Sequence, residues 1–87
     1  MKFHFHREFE KGYKRLKENE QKRVRDRLNL FRENPFHPLL KSHPLQGEYA
    51  GYYSVSIAGD LRAIFKRVGA DECWFVKLGT HRELYSE

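Results

Sequence analysis

Tyr53-Ser54-Val55-Ser56-Ile57-Ala58-Gly59-Asp60-Leu61-Arg62-Ala63-Ile64-Phe65 decides the fold of this chain. Tyr53, Val55 and Ile57 alternate with Tyr52, Ser54 and Ser56. That period of two predicts a strand with one apolar and one polar face. Ala58-Gly59-Asp60 is a tight-turn signal. Past it, Leu61, Ala63 and Phe65 alternate with Arg62, Ile64 and Lys66, so a second strand is expected from Leu61 to Arg67, folded back on the first. Gly69-Ala70-Asp71 is another turn, and Cys73 to Leu78 is a third strand. The C-terminal half therefore reads as an antiparallel three-strand meander.

Working back from the meander, residues 34–48 are a connection holding Pro35, Pro38 and Pro44 together with His37 and His43. Before it the period changes. Val24, Leu28 and Phe31 fall at i, i+4 and i+7, which predicts a helix from about Glu20 to Glu33 with one apolar stripe. Asn34-Pro35 ends it, because proline cannot continue a helix and restricts the residue before it. Asn19 is placed to cap its start. Phe9, Tyr13 and Leu16 predict an amphipathic helix over Glu8 to Lys17. Lys2 to His6 alternates again, with Phe3 and Phe5 opposite His4 and His6, as a short strand does.

The predicted class is α+β: an N-terminal strand, a helical hairpin, then the meander. Nothing in the composition divides the chain, so residues 1–87 are expected to form one domain. Each helix carries a single apolar stripe and needs a sheet face to cover it. Both helices are therefore expected on one face of a sheet that the N-terminal strand joins. The other face is expected to stay open, with Ser54, Ser56 and Arg62 turned to water.

Hydrophobic residues make up 39% of the chain and aromatic ones 15%, enough for a small Phe- and Tyr-rich core and too much for disorder. No run of about 18 apolar residues is present, so no membrane span is expected, and the start lacks the apolar core of a signal peptide. Cys73 is the single cysteine, which excludes an internal disulfide and fits a reducing cytoplasm. The net charge of +5 lies wholly in residues 1–35, where 11 Lys and Arg face 6 Asp and Glu; residues 36–87 hold 6 of each. Such one-sidedness favours an anionic partner, nucleic acid or an acidic protein. On charge alone a solvated basic helix face fits equally well.

Three side chains near the end suggest chemistry. Arg62 lies one residue inside a strand, and His81 and Tyr85 follow the next one. A guanidinium clamps phosphate, an imidazole exchanges protons near neutrality, and a tyrosine stacks on bases. If the two strands pair, the three share one cleft. Taken singly, Arg62 also reads as a solvated strand residue and His81 as a turn residue. His4-x-His6 places two imidazoles on one strand face, but the sequence offers no third ligand nearby, and no metal site or cofactor is expected. Cys73 reads as a buried strand cysteine.

Four segments at their mutual spacing carry a resemblance. They are Ser42-His43-Pro44-Leu45-Gln46-Gly47, Gly51-Tyr52, Gly59-Asp60-Leu61-Arg62-Ala63-Ile64-Phe65 and Gly79-Thr80-His81-Arg82-Glu83-Leu84-Tyr85. Together they resemble the RelE/ParE toxin superfamily, and within it the YafQ-like toxins of type II toxin–antitoxin pairs. The first half of the chain is similar in pattern only, the second half in motifs. The resemblance implies a RelE-like fold and a metal-free endoribonuclease that cuts mRNA in the ribosomal A site, silenced by a partner antitoxin. It implies a catalytic set of His43, Asp60, His81 and Tyr85, with Arg62 matching the strand Arg of RelE- and YoeB-like members, a position that can be apolar in YafQ-like ones. The basic helical residues Lys14, Lys17, Lys22, Arg23, Arg25 and Arg27, with Lys66 on the strand, would hold RNA phosphates. ParE-like members of the superfamily poison DNA gyrase instead and cut nothing, so fold alone does not decide the activity. The chain departs from the pattern where YafQ-like toxins can carry an Asp and a His. Ser54 and Ser56 stand there, and Leu61 replaces the aromatic that follows the acidic residue.

Overall fold

A computed structural model describes residues 1–85. The expected hairpin forms as β3 (Tyr53–Ala58) and β4 (Leu61–Val68), joined through Gly59, whose φ of +52° suits a residue without a Cβ. β5 (Glu72–Thr80) completes the meander. β1 (Lys2–Phe5) adds to β5 in parallel, with Phe3 opposite Cys73 and Phe5 opposite Phe75. The connection contributes a strand that the sequence did not predict: β2 (His43–Pro44) pairs antiparallel with β3. The result is a five-stranded mixed sheet in the order β1-β5-β4-β3-β2.

α1 (Arg7–Arg15) and α2 (Glu18–Glu33) form the predicted helical hairpin. Their boundary is two residues earlier than Asn19 suggested. Lys17 occupies the cap position, and its N–H donates to Glu20 Oε1 at 3.0 Å, so Asn19 lies inside α2. α2 stops as expected: Asn34 Oδ1 accepts the Phe36 N–H at 3.1 Å and turns the chain at Pro35. The helices cover the sheet face that carries Val55, Ile57, Ala63, Phe65 and Phe75. Phe75 is fully buried at the centre, with the rings of Phe3, Phe5, Phe9, Phe31 and Phe65 at centroid distances of 5.1–5.8 Å. Removing such a ring costs about 3–5 kcal/mol.

Gly12 sets how closely α1 lies on the sheet. A Cβ built there would fall inside van der Waals contact with the Leu78 carbonyl oxygen and 3.2 Å from its carbon. Helix propensity alone favours Ala over Gly by about 1 kcal/mol. Here the sign reverses, because the obstacle is backbone. Gly12→Ala is expected to destabilise the fold by about 1–3 kcal/mol. For a domain of this size each kcal/mol lowers the melting temperature by roughly 4–8 °C. A thermal melt checks this, and a rise in melting temperature would mean that α1 does not rest on β5 at Leu78.

The second sheet face is only partly open, whereas the sequence suggested that it is open throughout. Past β5 the chain turns into α3 (His81–Tyr85), which folds back across it. Leu84 is buried over Gly79, where a Cβ would come within 3.5 Å of Leu84 Cδ2. Tyr49 closes the same region, its hydroxyl 3.4 Å from the Leu84 carbonyl oxygen. Ser54 is consequently buried, not turned to water, because β2 makes β3 an interior strand. Its Oγ has no hydrogen-bond partner among the described residues. Ser56 and Arg62 are half-buried.

Candidate active site

Residues directly opposite each other across paired strands share a face. The register therefore fixes what the second face presents. His43, Ser54, Ile64 and Lys77 form one row from β2 to β5; Ser56, Arg62 and Gly79 form the next. α3 brings His81 and Tyr85 over the end of these rows. His43, Arg62, His81 and Tyr85 line one cleft of about 560 Å³ with Lys41, Leu45 and Gln46. That volume lies in the range of small-ligand sites, about 300–1,000 Å³.

The Arg62 side chain is 27% exposed, and its Nη2 lies 4.0 Å from Asp60 Oδ1. At that separation the pair is loose, and the guanidinium keeps its donors for a ligand. Asp60 is the one expected catalytic residue that does not line the cleft. It lines a neighbouring groove with Gly12 and Leu16, and its carbonyl oxygen accepts the His81 N–H at 3.1 Å.

His43 is exposed, and its Nδ1 lies 3.0 Å from the Lys41 carbonyl oxygen. A carbonyl oxygen only accepts, so Nδ1 carries the proton and a neutral ring presents a bare Nε2. Lys41 has a φ of +46°, a left-handed conformation that costs a residue with a Cβ about 1 kcal/mol or more. The His81 ring rests against Tyr85, with centroids 4.6 Å apart and planes at 57°. Among the described residues no group hydrogen-bonds its nitrogens. Tyr85 meets Tyr49 edge-on at 5.8 Å.

The sequence itself carries a signal for α3. Thr80-His81-Arg82-Glu83 is a capping box. Glu83 Oε1 accepts the Thr80 N–H at 2.8 Å, and Thr80 Oγ1 accepts the Glu83 N–H at 3.2 Å. This pair starts the helix at His81 and so orients the imidazole.

The expected RNA-contacting residues divide. Lys66 lies on the face of the cleft, its Nζ 5.6 Å from the Tyr52 ring centroid. Lys14, Lys17, Lys22, Arg23 and Arg25 are exposed on the helical layer, on the other side of the sheet. Arg27 is drawn inward, and its Nε donates to the Ile57 carbonyl at 2.9 Å, bracing α2 against β3. Arg25 bonds the Tyr13 hydroxyl at 2.6 Å, and Lys22 faces Asp26 at 3.6 Å. His6 caps α1, accepting the Glu8 N–H at 3.1 Å, while His4 stacks on Trp74. Among the described residues no group of three metal-ligating side chains gathers. Cys73 is buried, and burial pushes its thiol above the ordinary range, which makes it a poor nucleophile. No helix of the described residues is long and apolar enough to cross a membrane.

A basic helical hairpin lies on one side of the five-stranded sheet, and Arg62, His43, His81 and Tyr85 line a cleft on the other. The same fold is found in YafQ from E. coli strain BL21(DE3), at a TM-score of 0.82 and 23% identity over 97% of both chains. A YoeB/ParE toxin from Agrobacterium tumefaciens shares it at a TM-score of 0.78 and 24% identity, over 93% of this chain and 99% of that one. The toxin chain of an E. coli DinJ–YafQ complex is 27% identical over 97% of both chains, at a TM-score of 0.71. No curated protein sequence is significantly similar. The family described as the bacterial toxin of type II toxin–antitoxin system, YafQ, matches residues 1–86. The chain belongs to that family.

Proposed function

We propose that this protein is an endoribonuclease that cuts mRNA in the ribosomal A site, in the cytoplasm, using the RNA's own 2′-hydroxyl as nucleophile. The observation that carries this reading is the lining of a single cleft by Arg62, His43, His81 and Tyr85. Cleavage requires one proton removed, one proton delivered and charge stabilised on the phosphoryl oxygens. The bare Nε2 of His43 suits the removal of the 2′-hydroxyl proton. His81, which lines the same cleft, suits delivery of a proton to the departing 5′-oxygen. The planar fork of Arg62 matches two phosphoryl oxygens. Tyr85 offers a ring on which a base stacks, and Asp60 steadies the backbone at His81.

This division of labour uses no residue at positions 54 and 56 for proton transfer. Ser54 is buried and Ser56 carries no titratable group, so in this reading proton transfer falls to the two imidazoles. An antitoxin partner belongs to the same reading, since the E. coli relative forms a complex with DinJ. Acidic, apolar segments that fold on binding suit the basic helical layer. The test is translation with purified protein added. Truncated mRNA with 2′,3′-cyclic phosphate ends is the expected result. Intact mRNA with gyrase-linked DNA breaks would overturn the reading in favour of a gyrase poison.

A further inference from the structure

One row of the second face lies beyond the cleft and has no part in the chemistry above. His4 on β1, Trp74 on β5 and Lys66 on β4 stand side by side in register, and the Lys66 ammonium leads on to Tyr52. The indole of Trp74 is 37% exposed and lies outside the apolar core. His4 stacks on it with centroids 4.6 Å apart and planes 19° from parallel. His4 Nε2 lies 3.3 Å from Glu72 Oε1 without a hydrogen bond, and the stacked imidazole backs the indole on one face. Among the described residues no second ring and no cation lies against it.

Arg62 and Lys66 are four residues apart on β4, which separates the row from the phosphate clamp by roughly 13 Å along the strand. A large flat ring, backed on one side, with a lysine opposite it on the next strand and the proposed phosphate clamp on the same sheet face, is what unpaired RNA recognises. Sheets that bind single strands place aromatic rings for the bases and cations for the backbone in this manner.

The geometry points to Trp74 and Lys66 as a subsite for an unpaired RNA base that lies beyond the nucleotides at the cleft, the indole taking the base and Lys66 the adjoining phosphate. The inference deepens the nuclease reading but does not need cleavage to be true. The base comes either from the message or from ribosomal RNA.

Trp74 is the single tryptophan of the chain, so stacking on it is read directly. Titration with 2′-O-methyl RNA of eight nucleotides, which has no nucleophile and cannot be cut, is expected to quench its fluorescence. By anisotropy, Trp74→Leu is expected to weaken that binding by roughly 5- to 100-fold. Trp74→Phe, which keeps a ring, restores most of the affinity, and Lys66→Gln weakens binding and flattens its salt dependence. Melting curves of the variants establish that they fold. Binding without quenching, wild-type affinity in Trp74→Leu, or no binding of the oligonucleotide at all would overturn the inference. Quenching and Trp74 dependence in a protein that cuts no mRNA would uphold it and refute the nuclease reading alone. On programmed ribosomes, an abasic message that abolishes the Trp74 dependence of cleavage identifies the message as the source. Dependence that survives identifies ribosomal RNA.

Discussion

Arg62→Gln is expected to slow RNA cleavage by roughly 10²–10³-fold, the usual loss when one preorganised donor to a developing anion is removed. The size follows from where the guanidinium sits. It projects from the middle of a row whose neighbours, Ser56 and Gly79, are small and uncharged, so nothing else in that row supplies positive charge. Its tie to Asp60 is 4.0 Å long, and Asp60 is 60% exposed. Such pairs contribute about 0–1 kcal/mol to stability, so the variant should melt close to the wild type. Arg62→Lys keeps the charge and loses the two-pronged geometry, and an intermediate rate is expected. Asp60→Asn, which removes only the loose partner, is expected to change the rate by less than about tenfold. Single-turnover cleavage of a ribosome-bound message measures all three. A full rate in Arg62→Gln would remove the phosphate clamp from the mechanism.

Much of the fold was legible because its strands alternate. β3 alternates throughout and β4 alternates from Leu61 to Lys66 apart from Ile64, and the register that follows already sets Arg62 on the face opposite Phe65. The helical stripes were equally plain. What escaped the sequence was made by contacts between distant segments. β2 is two residues long, too short for any period, and exists only because β3 offers it an edge. Ser54 was read as solvent-facing from its polarity, and its burial follows from β2 and α3, both invisible to an alternation argument. Gly12 lies inside α1, and the reason for a glycine there is the Leu78 carbonyl of a distant strand.

The site divides in the same way. Arg62 and His81 could be paired from the sequence, since β4 and β5 had to be neighbours. His43 was carried by the resemblance alone, because a loop before an unpredicted strand has no position until the fold is known. The hydrogen bond that leaves its Nε2 bare runs to the Lys41 backbone carbonyl, a main-chain contact that no side-chain pattern reports. The charge count did locate a basic surface. The structure divides it, with most of the cations on the helical layer and Lys66 with Arg62 on the face of the cleft. A single RNA strand lying in the cleft therefore meets only the second group. The helical cations remain for ribosomal RNA or for an acidic partner.

His81→Ala is expected to lower the cleavage rate by roughly 10²–10⁴-fold, the range for loss of one positioned proton donor. The imidazole is exposed, yet it is held at three points: its backbone N–H on the Asp60 carbonyl, its ring against Tyr85, and the Thr80–Glu83 box that begins α3. Thr80→Ala breaks one of these and costs about 1 kcal/mol of stability. Its rate should fall far less than that of His81→Ala, because the imidazole remains. If His81 delivers the proton to the leaving oxygen, its loss should be repaired by a substrate whose bridging 5′-oxygen is replaced by sulfur, which departs without protonation. The same substrate should not repair His43→Ala, since removal of the 2′-hydroxyl proton is still required. A double variant is expected to lose less than the product of the two single losses, because both groups serve one transition state. Repair of His43→Ala in place of His81→Ala would reverse the two roles. Repair of neither, with RNA affinity lost in His81→Ala, would make His81 a binding residue and leave the proton donor to be sought elsewhere in the cleft.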